Sequence, residues 1–123
     1  KKLHTHQDLQ SLVTANEAVI VEFTTSWCGA CKGIESLYAE LASSHTESVQ
    51  SAQVVCDKNR ETKKLAIAYG VSSYPVFMLF ESGSNTGKWN GADRGKLESA
   101  FDRLGGSSGR GRGKGGRKKK GRG

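Results

Sequence analysis

The sequence predicts an α/β fold class: one domain with a central mixed β-sheet flanked by helices on both faces, plus a disordered basic C-terminal tail. Three observations support it. Residues 19–25 are almost continuously apolar, as in a strand covered on both faces, and an amphipathic helical pattern follows at 28–44. Strand and helix patterns then alternate, which indicates parallel strands joined by right-handed crossovers. A hairpin signal at 82–87 adds an antiparallel edge.

The first half of the chain is expected to contain two strands and two helices. Residues 3–5 are a short first strand. Thr5 and Asp8 fit a capping box that starts a helix over residues 7–15. The strand at 19–25 then leads directly into the helix at 28–44. The apolar stripe of this helix consists of Ile34, Leu37, Tyr38, Leu41 and Ala42.

The second half adds three strands and two helices, which gives the order β-α-β-α-β-α-β-β-α. Gly70 is a natural stop for the first of these helices, and Asp93 is a natural N-cap for the second. The expected elements are a strand at 51–56, a helix at 60–69, a strand at 76–81, a loop at 82–87, a strand at 88–90 and a helix ending at 104.

The charge of the chain is unevenly distributed. The net charge is +7, but eight of the 19 basic residues and no acidic residue lie from Gly105 onward. Residues 1–104 therefore carry 11 basic and 12 acidic side chains. The tail has no side chain that could join a core, so we expect a domain at 1–104 and disorder at 105–123. Its alternative roles are a solubilising extension and weak binding of nucleic acid or an anionic surface through 110–122.

Neither a membrane span nor a signal peptide is visible in the sequence. The longest uninterrupted apolar run is only five residues, at 76–80, whereas a membrane-spanning helix needs about 20. The chain has three cysteines, which cannot all pair internally. This odd number argues against a framework of structural disulfides.

Cys28 and Cys31 form a Cys-x-x-Cys at the junction between the apolar strand and the next helix. At a helix N-terminus, unpaired N–H groups and the helix dipole favour a thiolate, which is the species that attacks disulfides. We expect Cys28 to be the nucleophile and Cys31, one turn further in and less exposed, to be the resolving thiol. Half of a zinc site is the alternative, but zinc needs four ligands and the three histidines show no pairing with Cys56.

The residues around this pair resemble the thioredoxin superfamily. The resembling stretch after the apolar strand is Trp27, Cys28, Gly29, Ala30, Cys31 and Lys32. A second match lies at 69–76, Tyr-Gly-Val-Ser-Ser-Tyr-Pro-Val. The resemblance covers residues 3–104 and implies a thioredoxin fold. It also implies that Trp27 is exposed beside the site, with Gly29, Ala30 and Lys32 in supporting positions.

The resemblance assigns roles to three more residues. Glu22 corresponds to a buried carboxyl that accepts the proton of Cys31. Gln53 stands where relatives often carry a lysine near this acid. Pro75 corresponds to a cis-proline that faces the Cys-x-x-Cys, and the backbone of Tyr74 would pair with a substrate strand there.

We therefore expect a thiol–disulfide oxidoreductase, similar to protein disulfide isomerase, that oxidises, reduces or isomerises protein disulfides without a metal or organic cofactor. Glu22 favours the isomerase type, whereas residues 54–59 look more like thioredoxin. The expected partners are protein disulfide or dithiol substrates and a recycling oxidase or reductase, in the endoplasmic reticulum lumen or outside the cell. The alternatives are a cytosolic or nuclear thioredoxin-type reductase, and an interaction module that acts through the basic tail.

Overall fold

The structure, a computed structural model, describes residues 1–105, which form four helices and four strands. Every helix and strand expected between residues 7 and 104 is present, and the ends differ by at most one residue from the expected ones, apart from the start of the hairpin strand β4. The elements are α1 (His6–Ala15), β1 (Ala18–Thr24), α2 (Gly29–Ser44), β2 (Gln50–Val55), α3 (Arg60–Ala68), β3 (Val76–Glu81), β4 (Ser84–Asn90) and α4 (Arg94–Gly105).

The strands form one mixed sheet in the order β2-β1-β3-β4. β1 pairs in parallel with β2 and antiparallel with β3, and β3 pairs antiparallel with β4. Because successive side chains of a strand point to opposite faces, β1 contributes to two separate cores. Val21 packs in the core that includes residues of α1 and α3, and Ile20 packs in the core that includes residues of α2 and α4. The expected mixed sheet with helices on both faces is confirmed.

The expected first strand at residues 3–5 is wrong. Residues 3–5 form no strand, and the nearest pairing is an isolated bridge just before them, in which Lys2 pairs in parallel with Gln53. The backbone of Leu3 also donates to the Gln53 carbonyl at 2.9 Å, and the Leu3 side chain is buried in the core. The apolar residue that suggested a strand therefore anchors the N-terminus without extending the sheet.

The hairpin is tighter than the expected loop at 82–87. Only Ser82 and Gly83 connect the strands, with φ angles of 52° and 86°. Positive φ at both central residues is typical of the tight turns that join antiparallel strands. β4 therefore starts at Ser84 instead of Lys88. Its first residues are exposed, so this edge strand lacks the apolar alternation by which strands are found in a sequence.

The helix caps follow the sequence closely. The Thr5 side chain accepts from the backbone of Asp8 and completes the expected capping box. The Asp93 carboxylate accepts from the backbone of Lys96 at 3.0 Å. α4 ends at Gly105, so the expectation that disorder begins at this residue is wrong, and the rest of the expected tail, residues 106–123, lies outside the described part of the chain. Within that part, no helix combines the length and the apolar character needed to span a membrane.

Candidate redox site

Cys28 and Cys31 are joined by a disulfide at the N-terminus of α2, with their Cα atoms 5.3 Å apart. Cys28 is the N-cap of this helix, and its sulfur accepts a hydrogen bond from the Cys31 N–H at 3.1 Å. Both residues are buried, with Cys28 5% and Cys31 1% exposed. As the N-cap, Cys28 is the outer member of the pair, next to the backbone N–H groups that favour negative charge at a helix start.

The residues flanking the pair are exposed. Trp27 is 69% exposed, as expected from the resemblance, and its ring meets the Tyr74 ring edge-on, with centroids 5.9 Å apart. Gly29, Ala30 and Lys32 are exposed on the first turn of α2. An aromatic surface thus adjoins the disulfide on the side where Tyr74 lies.

Glu22 is fully buried in β1, between Gln53 of β2 and Phe77 of β3 in the sheet register. One carboxylate oxygen, Oε1, accepts a hydrogen bond from Gln53 Nε2 at 2.9 Å. The other oxygen, Oε2, has no hydrogen-bond partner within residues 1–105. Burial raises the pKa of the Glu22 carboxyl; the Gln53 hydrogen bond lowers it, and the charge of Glu35 raises it further.

The side chain of Glu22 belongs to the sheet face that α2 covers. Glu22 lies two residues after Ile20, which packs against residues of α2 and α4. Side chains two residues apart in a strand share a face. Glu35, whose charge acts on Glu22, lies four residues after Cys31 and so on the same side of α2. The buried carboxyl and the inner cysteine are therefore on the two facing surfaces of the sheet and α2.

Pro75 is buried and follows a cis peptide bond from Tyr74, as expected from the resemblance. Two backbone hydrogen bonds tie this loop to the domain, from Val71 N–H to the Ala66 carbonyl and from Gly91 N–H to the Pro75 carbonyl. The backbone of Tyr74 takes part in neither. The Tyr74 side chain is half-buried and packs against the core on the α1 and α3 side of the sheet.

A hydrogen-bonded pair that no sequence motif indicated fixes the loop before the redox cysteines. Asp57, just beyond β2, accepts hydrogen bonds from the Ser26 N–H at 3.0 Å and the Ser26 hydroxyl at 2.6 Å. The hydrogen bond from the Ser26 hydroxyl is the main cause that lowers the pKa of Asp57, and the bond from the Ser26 N–H is the next. These bonds fix the loop just before Trp27 and Cys28. The carboxyl ends of adjacent parallel strands meet at one edge, so a polar residue just after each strand was the available signal.

Cys56 is a buried thiol outside the redox pair, 3% exposed. This agrees with the expectation of a core thiol at the end of a strand. Burial raises the pKa of Cys56 to about 11, and a hydrogen bond with the Tyr74 side chain lowers it by a smaller amount. At pH 8 a thiol with this pKa is ionised in about one molecule in a thousand.

We predict that Cys56 resists alkylation in the folded protein. After reduction and treatment with iodoacetamide at pH 8, mass spectrometry should find a label on Cys28 and none on Cys56. A label on Cys56 should appear only in denaturant, because alkylation needs an accessible thiolate. Rapid labelling of Cys56 under native conditions would show that the strand end opens readily.

The described residues contain no ligand set for the zinc site that was the alternative interpretation of the two cysteines. No group of three or more histidine, cysteine, aspartate or glutamate side chains within residues 1–105 is arranged to hold a metal ion. The two cysteines of the motif are instead bonded to each other.

The likeness to known proteins extends over the whole domain. The thioredoxin family model matches residues 1–103. The chain is 36% identical over 93 residues to thioredoxin H-type 2 of Nicotiana tabacum, a match covering 76% of this chain and 75% of that protein. It is 37% identical over 75 residues to protein disulfide isomerase-like 2-2 of Oryza sativa subsp. japonica, covering 59% of this chain but 19% of that protein.

The fold is also that of solved thioredoxins. The X-ray structure of Fasciola hepatica thioredoxin matches with a TM-score of 0.77 at 30% identity, over 85% of this chain and 98% of that one. The residues matched by the family model include the disulfide at the start of α2 and all four strands of the sheet. The chain therefore belongs to the thioredoxin family, as a thioredoxin-like thiol oxidoreductase whose redox pair is Cys28 and Cys31.

Proposed function

We propose that this chain reduces disulfides in other proteins by two successive thiol–disulfide exchanges. In the first, the Cys28 thiolate attacks one substrate sulfur, a mixed disulfide forms, and the other substrate sulfur leaves as a thiolate. In the second, the Cys31 thiolate attacks the Cys28 sulfur, the substrate leaves as its second thiolate, and the Cys28–Cys31 disulfide remains. Two electrons pass from the pair to the substrate, and a recycling reductase returns them.

The observation that carries this proposal is the disulfide that joins Cys28 and Cys31 within the first turn of α2. Cys28 is the N-cap of this helix and Cys31 lies one turn further in, so we assign the attack on the substrate to Cys28. The inner sulfur is one helical turn away, so its attack on the mixed disulfide is intramolecular and has a high effective concentration.

Glu22 is the proposed proton acceptor for Cys31. A carboxyl whose pKa is raised by burial can take up and release a proton closer to neutral pH than an exposed one. The side chain that donates a hydrogen bond to Glu22 is the neutral amide of Gln53, not a cation that would oppose protonation. One water bridging the carboxyl and the Cys31 thiol would suffice for the transfer.

The substrate strand is proposed to bind beside Tyr74 and Pro75. The Tyr74 backbone is outside the two hydrogen bonds that hold its loop, so its N–H and C=O can pair with an extended peptide. Trp27 stands edge-on against the Tyr74 ring and gives that peptide an apolar wall. This arrangement would bring a substrate cysteine to the Cys28 side of the loop.

The reductase direction is supported by the extent of the likeness to thioredoxins, since the match covers 75% of the tobacco thioredoxin and 19% of the isomerase-like protein. The isomerase-like activity is the second candidate, favoured by a glutamate, not the aspartate usual in thioredoxins, at position 22. The proposed compartment depends on the direction of electron transfer. A reductase would work in the cytosol or nucleus, and an isomerase in the endoplasmic reticulum lumen or outside the cell.

The reduction potential of the Cys28–Cys31 pair tests the direction. We predict a value near −270 mV, about that of thioredoxin, rather than near −180 mV, about that of protein disulfide isomerase. The measurement is equilibration with glutathione buffers, followed by alkylation and mass spectrometry. A value close to the isomerase figure would favour the second candidate. If the cysteine pair stays reduced in every glutathione buffer, both the reductase and the isomerase candidates are ruled out.

The basic tail is the basis of a different proposal, that the chain also binds nucleic acid or an anionic surface through residues 110–122. It is supported by the eight basic residues that follow Gly105. Truncation after Gly105 should then remove retention on heparin or DNA while insulin reduction continues. Retention that persists in the truncated chain, or that does not weaken with salt, would contradict this role.

A further inference from the structure

A cavity of about 290 Å³ lies beside the loop that precedes Pro75. We refer to it as the Lys88 cavity. It is lined on one side by Gly70, Ser72 and Ser73 and on the other by the end of β4, including Lys88 and Asn90. None of these residues has a role in the exchange chemistry proposed above.

The polar side chains of the Lys88 cavity can all donate hydrogen bonds. They are the Lys88 ammonium group, the hydroxyls of Ser72 and Ser73, and the Asn90 amide. The Asn90 amide donates to the Ser73 hydroxyl, which connects the two sides of the cavity. No carboxylate lines the cavity.

The charge of Lys88 is unpaired among residues 1–105, since neither ion pair found there includes it. A Cβ atom added to Gly70, which has φ +70°, would lie 3.9 Å from the Lys88 ammonium nitrogen. The ammonium group therefore lies beside the glycine at the start of the loop.

The cavity continues the surface on which a substrate strand is proposed to bind. Ser73 directly precedes Tyr74, and Asn90 pairs with Val76 across the sheet. Gly91, the next residue after Asn90, donates to the Pro75 carbonyl. An extended peptide advances about 3.3 Å per residue, so a strand that pairs with Tyr74 would place flanking side chains, two or three positions from the substrate cysteine, along this surface.

We propose that the Lys88 cavity binds the carboxylate of an aspartate or glutamate that flanks the reactive cysteine of the substrate. This inference rests on the proposed function, because it assumes that the substrate strand pairs with Tyr74. Lys88 supplies the positive charge, and the Ser73 and Asn90 side chains supply hydrogen bonds. The preferred substrates are thus disulfides in an acidic sequence context.

The test uses disulfide-linked reporter peptides that differ only in glutamate, glutamine or lysine two positions from the cysteine, placed on each side in turn. On one side, kcat/KM for the glutamate peptide should exceed that for the lysine peptide by about threefold, since exposed ion pairs have modest energies. Glutamine should fall between them. The ratio should shrink at high salt.

Charge reversal distinguishes the cavity from the general field of the protein. Lys88→Glu should invert the glutamate-to-lysine ratio, and Asn90→Leu should reduce it while the charge is kept. Lys96→Glu, at an exposed position in α4, changes the net charge equally and should leave both the ratio and the reduction of the glutamine peptide unchanged.

Three outcomes separate this inference from the proposed function. Equal reduction of all three peptides by the unaltered chain would overturn the inference and leave the reductase proposal standing. An equal change of the ratio in the Lys88→Glu and Lys96→Glu variants would also overturn it, because the preference would then be generic. Failure to reduce any of the peptides would count against the proposed function itself.

Discussion

Replacement of Cys28 by serine is expected to lower the rate of insulin reduction by about three orders of magnitude or more, because a serine hydroxyl is not ionised near neutral pH and cannot act as the attacking thiolate. The remaining Cys31 is 1% exposed and should not replace Cys28 as the nucleophile. The measurement is the turnover rate with a chemical reductant supplying electrons. No mixed disulfide with substrate should accumulate.

Replacement of Cys31 by serine should block the second exchange and leave the first intact. Cys28 can still attack the substrate, but the second exchange has no internal thiol. Because an intramolecular thiol acts with a high effective concentration, release by an external thiol should be much slower. The variant should therefore accumulate a covalent complex with substrate, visible on non-reducing gels and by mass spectrometry as a linkage through Cys28.

The buried thiol provides the matched control for both variants. Cys56→Ala should reduce insulin at the rate of the unaltered chain, because Cys56 is buried and little ionised. Adding it to Cys31→Ser should not change the amount of trapped complex. A complex that accumulates with Cys28→Ser and not with Cys31→Ser would reverse the two roles.

The fold was predictable where one stretch of chain contains the whole signal. The near-continuous apolar run of β1 and the capping residue Thr5 gave correct elements because burial on both faces and a capping box leave local patterns. The start of β4 at Ser84 was not predictable in this way. An exposed edge strand is defined by its hydrogen bonds to β3, and its polar residues look like a loop.

The residues of the candidate site show the same difference between local patterns and long-range contacts. Cys28 and Cys31 are recognisable because their chemistry depends on a spacing of three residues within one helical turn. The contacts of Asp57 with Ser26 and of Asn90 with Ser73 join positions 31 and 17 residues apart. Such contacts follow from strand order and register, which the composition of either segment does not specify. Long-range contacts of this kind are therefore harder to predict from the sequence than the redox pair is.

Replacement of the buried Glu22 by glutamine is the second change with a large expected effect. It should increase stability as pH rises but slow the second thiol–disulfide exchange. The pKa of Glu22 is raised by burial, so the folded chain holds this proton to a higher pH than the unfolded chain does. As pH rises between the unfolded and folded pKa values, the folded state binds more protons than the unfolded state, and stability falls. Glutamine does not titrate, so Glu22→Gln should gain stability relative to the unaltered chain as pH rises through this window.

Urea unfolding of the oxidised protein from pH 4 to pH 9 measures that difference. The amide oxygen of glutamine can still accept from Gln53, so the neighbouring contact is preserved. The matched control is Glu35→Gln. The Glu35 charge raises the pKa of Glu22, so its removal should move the pH dependence of stability to lower pH without abolishing it. A stability difference between Glu22→Gln and the unaltered chain that is constant with pH would show that this carboxyl does not titrate as inferred.

The same variant should be slower in the second exchange. Without a proton acceptor, Cys31 ionises less readily, and loss of a general base typically costs a factor of about 10² to 10⁴. Stopped-flow measurement of the decay of the mixed disulfide isolates this step, whereas formation of the mixed disulfide by Cys28 should change little. Glu35→Gln should retain nearly full activity. Decay at the unaltered rate in Glu22→Gln would remove Glu22 from the mechanism, and a gain in stability alone would then mark it as a buried charge that the fold tolerates without using it.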